Sequence, residues 1–403
     1  MKKRIVIVGM GPGTKRWLPQ AAQEEINRAE VLIGSERLIK EYPQKRTVKA
    51  VVAKDIVAVI EKEETENFAV LMSGDTGFYS GTRKLMQLLP KQYCVEVIPG
   101  ISSVVYLSAK IGIPWEEAEL LSLHGKKQNY IPVIRTNEYT FLLTQGNAGE
   151  ICRRMTDSGL GNCEVWLGEN LSYEQEQIIH DTAQGLADCV TGTLTVMAVY
   201  NPKRRPQPTF GLPDDWFCRG SVPMTKREVR AVIVSRMAVG KHECIYDIGA
   251  GTGSVSVELA MQALCGTVYA IERNEQGCEL IRQNAFQFGL DNIEVVQGEA
   301  GKVMQALPAP AAAFIGGSGG ELEDIFKILI QKNPNIRVVL TAVTFETLYQ
   351  AADLLKKYGF SHTDMVQIAV TRLEERGRYH MMSALNPVFI LEGRRSEYGE
   401  TAD

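Results

Sequence analysis

The stretch Tyr246-Asp247-Ile248-Gly249-Ala250-Gly251-Thr252-Gly253 constrains this chain more than any other. It closes the strand-like run Cys244–Ile248 and opens into the helix-like Ser254–Gln262. Glycines let a backbone turn tightly and come close to a ligand. The spacing is G-x-G-x-G, not the G-x-G-x-x-G of dinucleotide binders. Asp247 stands two places before the first glycine, where a pyrophosphate would be repelled and a positively charged amino acid moiety welcomed. Glu272 follows Gly253 by 19 residues, at the end of the next strand, where a carboxylate takes ribose hydroxyls in such folds. Asp247, the three glycines and Glu272 together point to S-adenosylmethionine as the ligand.

The rest of the chain alternates strand and helix. In the second half Thr267–Ile271, Ile293–Val296, Ala312–Ile315, Arg337–Thr341 and Val388–Leu391 read as further strands. In the first half Arg4–Val8, Val31–Ile33, Phe68–Met72 and Val95–Ile98 do so, with helices around Pro19–Ala29 and Ser102–Lys110. Tyr139–Thr144, Glu164–Leu167 and Thr193–Tyr200 read as strands of a second sub-domain. This alternation predicts an α/β fold with mostly parallel sheets. Five prolines between positions 202 and 223 mark a linker. The expected domains are therefore 1–200 and 220–393, with a linker at 201–219 and a tail at 394–403. Their glycine motifs differ, so the halves are not repeats.

Charge and composition exclude several classes. The net charge of –4 comes with no basic stripe, which argues against a nucleic-acid partner. No apolar run approaches the ~18 residues of a membrane span, so no membrane partner is expected. Met1-Lys2-Lys3-Arg4 precedes an apolar run, but glycines end that run at once with no cleavage site. A first strand and a cytoplasmic setting are expected. The eight cysteines include no C-x-x-C pair, so free thiols and no metal site are expected.

Three more turns follow strands in the first half: Gly9-Met10-Gly11-Pro12-Gly13, Ser73-Gly74-Asp75-Thr76-Gly77 and Pro99-Gly100-Ile101-Ser102-Ser103. None carries the Lys-Ser/Thr of a phosphate loop, and Pro12 removes an amide such a loop would use. In a parallel sheet these strand ends converge on one ligand-binding edge. With Leu123-His124-Gly125-Lys126, Leu143-Thr144-Gln145-Gly146-Asn147 and the segment Gly168–Glu176, residues 4–200 resemble the tetrapyrrole methylase family, above all its corrin C-5 methyltransferases. The resemblance implies two α/β sub-domains with S-adenosylmethionine in the cleft between them. By position it implies Pro12, Gly74, Asp75, Ser102 and Ser103 as contacts. Asp75-Thr76 stands where many members have Asp-Pro. His124 is a candidate proton carrier, with a hydrogen-bonded structural role as the alternative.

Residues 220–393 resemble class I, Rossmann-like methyltransferases. More narrowly, they resemble those that methylate C-15 of a corrin precursor and decarboxylate its acetate chain. The carrying segments are Pro223–Arg230, Asp247–Gly253, Ile271–Asn274, Gln297–Ala300, Phe314–Gly320 and Met381–Val388. The resemblance implies that Thr225, Gly249, Gly251, Gly253, Glu272 and Ala300 line S-adenosylmethionine. Glu299 replaces the usual Asp, and Ala311–Ala313 leaves no acid before the Phe314–Gly320 turn. Thr225, Lys226, Arg227 and Arg230 open this domain, and Arg378 and His380 lie near its end. These are candidates for a clamp on substrate carboxylates, with Arg378 and His380 the catalytic candidates. Lys226, Arg227 and Arg230 read alternatively as surface charge, and Glu374–Arg376 as exposed helix or loop charge.

Joined in this order, the halves resemble the fused precorrin-6Y C5,15-methyltransferase (decarboxylating) family. That implies one S-adenosylmethionine per domain and a tetrapyrrole substrate of the precorrin-6B or precorrin-7 type. It also implies methylation at C-5 and C-15 with loss of the C-12 acetate carboxyl, and a homo-oligomer, dimer or tetramer. The rivals are an RNA methyltransferase and a regulatory protein with dead sites. Intact turns in both halves argue against the latter.

Overall fold

In the computed structural model, which describes residues 3–124, 129–204 and 210–395, the chain divides into two units. One comprises Met1–Lys126 with Asn137–Arg204, the other Lys127–Thr136 with Arg205–Asp403. Gly125, Lys126, the linker residues 205–209 and the tail residues 396–403 lie outside the described residues.

The first sheet of the first unit comprises β1 (Arg4–Gly9), β2 (Val31–Gly34), β3 (Arg46–Lys49), β4 (Asn67–Met72) and β5 (Cys94–Ile98). Its order is β3-β2-β4-β1-β5, with every pair parallel. Helices cover both faces, which is why β1 reads as an unbroken apolar run. Ile5 and Ile7 pack with Ile56 and Ile60 on one side. Val6 and Val8 pack with Ala22 and Ile26 on the other.

The second sheet holds β6 (Glu119–Ser122), β7 (Tyr139–Leu143), β8 (Glu164–Glu169), β9 (Gln177–Thr182) and β10 (Thr195–Tyr200), in the order β6-β7-β10-β8-β9. Only β6 and β7 pair in parallel. This departs from the mostly parallel expectation. The seven residues from 170 to 176 that join β8 to β9 are too few for a parallel crossover, which needs a dozen or more.

The second unit is built on β11 (Cys244–Ile248), β12 (Thr267–Glu272), β13 (Ile293–Gln297), β14 (Ala312–Ile315), β15 (Arg337–Ala342) and β16 (Ser361–Ile368). A hairpin of β17 (Thr371–Arg376) and β18 (Tyr379–Ala384) follows, then β19 (Val388–Arg394). The order is β13-β12-β11-β14-β15-β19-β16, with β19 antiparallel to both neighbours. The order reverses between β11 and β14, the switch point where open α/β sheets bind ligands at the strands' carboxyl ends. Ile245, Phe314 and Val339 meet Val257 and Leu259 on one face. Tyr246, Ile248 and Leu340 meet Ile325 and Phe326 on the other.

Two readings change. Glu374–Arg376 are not helix or loop but the end of β17, whose backbone pairs with Tyr379–Met381. Within the stretch expected as linker, Leu212 and Phe217 are buried in the second unit's core. Among the described residues, no helix is long and apolar enough to cross a membrane.

Candidate active sites

In the second unit the turn after β11 is laced to the ends of its neighbours. The amides of Gly249 and Ala250 both donate to the Ile271 carbonyl at 2.9 and 3.1 Å, and the Gly316 amide donates to Ile248 at 2.9 Å. Gly249 has φ of 73°, and a Cβ there would lie 2.6 Å from the Gly317 carbonyl oxygen. Only glycine permits both the left-handed conformation and this approach of the two glycine turns. Gly251, also left-handed, presses on the next layer: a Cβ there would meet the Pro223 carbonyl at 3.0 Å. Its amide donates to Glu272 Oε2 at 2.8 Å, while the Asn274 amide donates to Oε1 at 2.8 Å. Gly253, with φ of 75°, opens the helix Ser254–Gln262.

Asp247 lies beneath this turn and is 0% exposed. Its Oδ2 accepts the Ser256 hydroxyl at 2.5 Å, and its Oδ1 has no partner. Burial pushes its pKa up to about 7; the Glu272 charge adds to the rise and the Ser256 hydrogen bond opposes it. Thr252 Oγ1 is likewise buried without a partner. Thr225 and Ala300 are half-buried. The residues present fit S-adenosylmethionine. An unpartnered buried carboxylate oxygen calls for a donor, Glu272 offers acceptors only, and the ligand's ammonium and ribose hydroxyls are donors.

In the first unit the three strand-end turns meet backbone to backbone. A Cβ on Gly9 would lie 2.5 Å from the Gly100 nitrogen, and one on Gly100 would lie 2.5 Å from the Gly74 oxygen. Gly11 and Gly74 exchange two N–H···O bonds of 3.1 Å. Asp75 ties two of the turns together, accepting the Gly77 amide at 2.7 Å and the Gly100 amide at 3.1 Å. The Ser102 hydroxyl caps the helix Ser103–Ile111 by accepting the Val105 amide at 3.1 Å. Pro12 and Ser103 are half-buried beside them.

The segment Gly168–Glu176 folds onto this edge. Ser172 Oγ accepts the Thr14 amide at 3.1 Å, and the Tyr173 ring occupies the space a Cβ on Gly13 would need. Arg37 donates to the Tyr173 hydroxyl and, at 2.9 Å, to Ser73 Oγ. Arg37 carries no local sequence signal for this role, because its partners lie 36 and 136 residues away.

The three catalytic candidates are exposed. His124 is exposed, and its amide donates weakly to Ser122 Oγ at 3.4 Å. Arg378 and His380 are exposed on the β17–β18 hairpin. The Arg378 guanidinium lies 5.0 Å from the Tyr379 ring centroid, and His380 Nε2 is 3.6 Å from Glu375 Oε1.

Arg230 requires a correction. It is neither surface charge nor free to clamp a substrate, being 0% exposed between Glu258 and Asp214. Arg227 is also engaged, donating from Nε to the Gly211 carbonyl at 2.6 Å.

Two family models match this chain. The family model for the precorrin methyltransferase domain matches residues 215–395, and that for the tetrapyrrole (corrin/porphyrin) methylases matches residues 4–187. A probable cobalt-precorrin-6B C(15)-methyltransferase (decarboxylating) of Pyrobaculum calidifontis is 40% identical over 189 residues, covering 46% of this chain and 96% of that one. The cobalt-precorrin-6B C(15)-methyltransferase (decarboxylating) of Salmonella typhimurium is 37% identical over 186 residues, covering 46% and 96%. The crystal structure of a precorrin-6Y C5,15-methyltransferase from Geobacter metallireducens is 34% identical. It covers 47% of this chain and 98% of that one, at a TM-score of 0.44.

Proposed function

The chain belongs to the precorrin methyltransferase family, and on that premise we propose a two-site methyltransferase of corrin-ring biosynthesis that uses S-adenosylmethionine at each site. The first half methylates C-5 of a precorrin. The second methylates C-15 and releases the C-12 acetate carboxyl as carbon dioxide. The observation that carries this reading is the presence of two strand-end glycine sites of different construction in one chain. One is built from Gly9, Gly74 and Gly100, the other from Gly249, Gly251 and Gly253.

When bound, S-adenosylmethionine supplies an electrophilic methyl group on a sulfonium. The protein's task is then mainly positioning, holding an electron-rich ring carbon in line with that methyl. In the second half Glu272 and the glycine turn accept and shape, and Asp247 offers negative charge from below. In the first half Asp75 holds two turns in register, and Pro12, Gly74, Ser102 and Ser103 line the edge. Loss of carbon dioxide needs an electron sink, which the conjugated tetrapyrrole itself provides. The chain has only to bind the remaining carboxylates, a role we assign to Arg378 and His380 with Thr225 and Lys226 nearby in sequence to the turn's cover. For the first site we keep His124 as the candidate proton carrier. A cytoplasmic setting, homo-oligomeric assembly and no nucleic-acid partner complete the reading.

The test is direct. The purified chain, given S-adenosylmethionine and a precorrin lacking both methyls, should yield a product heavier by two methyl groups and lighter by one carbon dioxide. Methyl transfer to RNA with the precorrin untouched would overturn the reading.

A further inference from the structure

Arg230 gathers more partners than any charge balance requires. Its Nε donates to Glu258 Oε1 at 2.5 Å and its Nη2 to the Leu212 carbonyl at 2.5 Å. Its Nη1 donates to the Thr225 carbonyl at 2.6 Å and to Asp214 Oδ1 at 3.2 Å. The guanidinium carbon lies 4.6 Å from the Phe217 ring centroid. Glu258 in turn accepts the amides of Gly211 and Leu212 at 2.7 and 2.9 Å. Asp214 also accepts from Arg372 of β17 at 3.2 Å, and Arg372 reaches Glu228 at 2.8 Å.

These contacts join three pieces of one site. Glu258 belongs to the helix that Gly253 opens. Thr225 ends the segment whose Pro223 carbonyl presses on Gly251. Leu212 lies in the second unit's core and Asp214 opens the short turn Asp214–Trp216, both in the segment that precedes Thr225. A planar fork of five donors can serve four acceptors in different directions at once. The single nitrogen of a lysine cannot.

Building on the reading of this turn as an S-adenosylmethionine site, we propose that Arg230 is a positioning residue for that site. By fixing the Thr225 carbonyl relative to Glu258, it sets the Val222–Thr225 segment at one spacing above the Gly249–Gly253 turn. The cofactor then meets a formed cover rather than one it must order, and ordering on binding lowers affinity.

The test uses the full chain and calorimetric titration with S-adenosylmethionine. Arg230→Lys keeps the buried charge and loses the fork, so affinity should fall about tenfold at one site and stay unchanged at the other. Glu258→Gln loosens the same guanidinium from the helix side and should weaken the same site by a smaller factor, about threefold. In turnover both variants should raise the KM for S-adenosylmethionine in C-15 methylation more than they lower kcat. A variant that melts earlier yet binds at both sites with unchanged affinity reduces Arg230 to a structural role and overturns the proposal. If both variants fail to fold, hydrogen exchange on the unaltered chain decides. Without cofactor the amides of Met224–Lys226 should already exchange slowly, and free exchange there that only S-adenosylmethionine suppresses overturns the proposal. Absence of binding at the second site in the unaltered chain would instead defeat the functional reading beneath it.

Discussion

Glu272 accepts the Gly251 amide at 2.8 Å, so the acid at the end of β12 shapes the turn that follows β11. The carboxylate that resemblance assigns to the cofactor is thus also part of the scaffold. Glu272→Ala should therefore remove both functions. An ionic hydrogen bond is worth ~1.5–3 kcal/mol, which is roughly tenfold or more in affinity. Calorimetry on the unaltered chain should find two S-adenosylmethionine sites. The alanine variant should lose most of its affinity at one and none at the other. Normal binding at both would show that the cofactor lies elsewhere.

Asp247 gives a pH signature with a definite sign. Its carboxyl titrates at about 7 in the folded chain, against 3.8 for the free group. Between those values the folded chain keeps a proton that the unfolded chain has released. The stability tied to this proton is fully present below pH 3.8, falls as pH rises, and is gone above about 7. Asp247→Asn abolishes that slope. Without cofactor, thermal unfolding should favour the variant increasingly from pH 5 to about pH 7 and by a constant margin above it. A cationic ammonium near Asp247 would favour the carboxylate, so binding should release a proton near neutral pH. Titrations in two buffers of different ionisation heat measure that release, and its absence would separate Asp247 from the cofactor.

How much of this was legible depended on burial. β11 and β14 were readable to the residue because Ala312–Ile315 is wholly apolar and Cys244–Ile248 is apolar but for Asp247, inside a sheet covered on both faces. β3 and β17 were missed because their side chains are largely exposed. Thr371–Arg376 spells out charge, and its strand character comes from pairing with Tyr379–Ala384. The glycine turns were legible because left-handed backbone restricts residue type. Arg230 was misread because its acidic partners lie 16 and 28 residues away. One signal did exist: Glu258 is a lone acid in Val255-Ser256-Val257-Glu258-Leu259-Ala260-Met261, and an acid buried in such a helix needs a cation.

Gly100 tests the first site. A methyl there would sit 2.5 Å from the Gly74 oxygen and 2.6 Å from the Gly9 oxygen, both backbone atoms that cannot swing aside. Gly100→Ala should force the second and third turns apart, at a cost of about 1–3 kcal/mol. The thermal midpoint should fall, and S-adenosylmethionine affinity should drop at the site that Glu272→Ala leaves intact. Combining the two substitutions should abolish binding. If Gly100→Ala weakens the same site as Glu272→Ala, the two-site assignment fails.

Decarboxylation should follow the second site alone. Its turn lies at the switch point between β11 and β14, and its unit carries the exposed Arg378 and His380 on the β17–β18 hairpin. A cation at a hairpin surface can meet a carboxylate of a large ring without first being desolvated. In the full chain, Gly100→Ala should give product with one added methyl and one lost carbon dioxide. Glu272→Ala should give product with one added methyl and every carboxylate retained. Arg378→Ala should leave S-adenosylmethionine binding unchanged, because its contact is with Tyr379 rather than with the turn. It should raise the KM for the tetrapyrrole several-fold, as expected for losing an exposed ion pair of roughly 1 kcal/mol or a little less. Carbon dioxide loss that persists in Glu272→Ala and disappears in Gly100→Ala would reverse the assignment of the two halves. An unchanged tetrapyrrole KM in Arg378→Ala would remove this arginine from the carboxylate clamp while leaving the reaction in place.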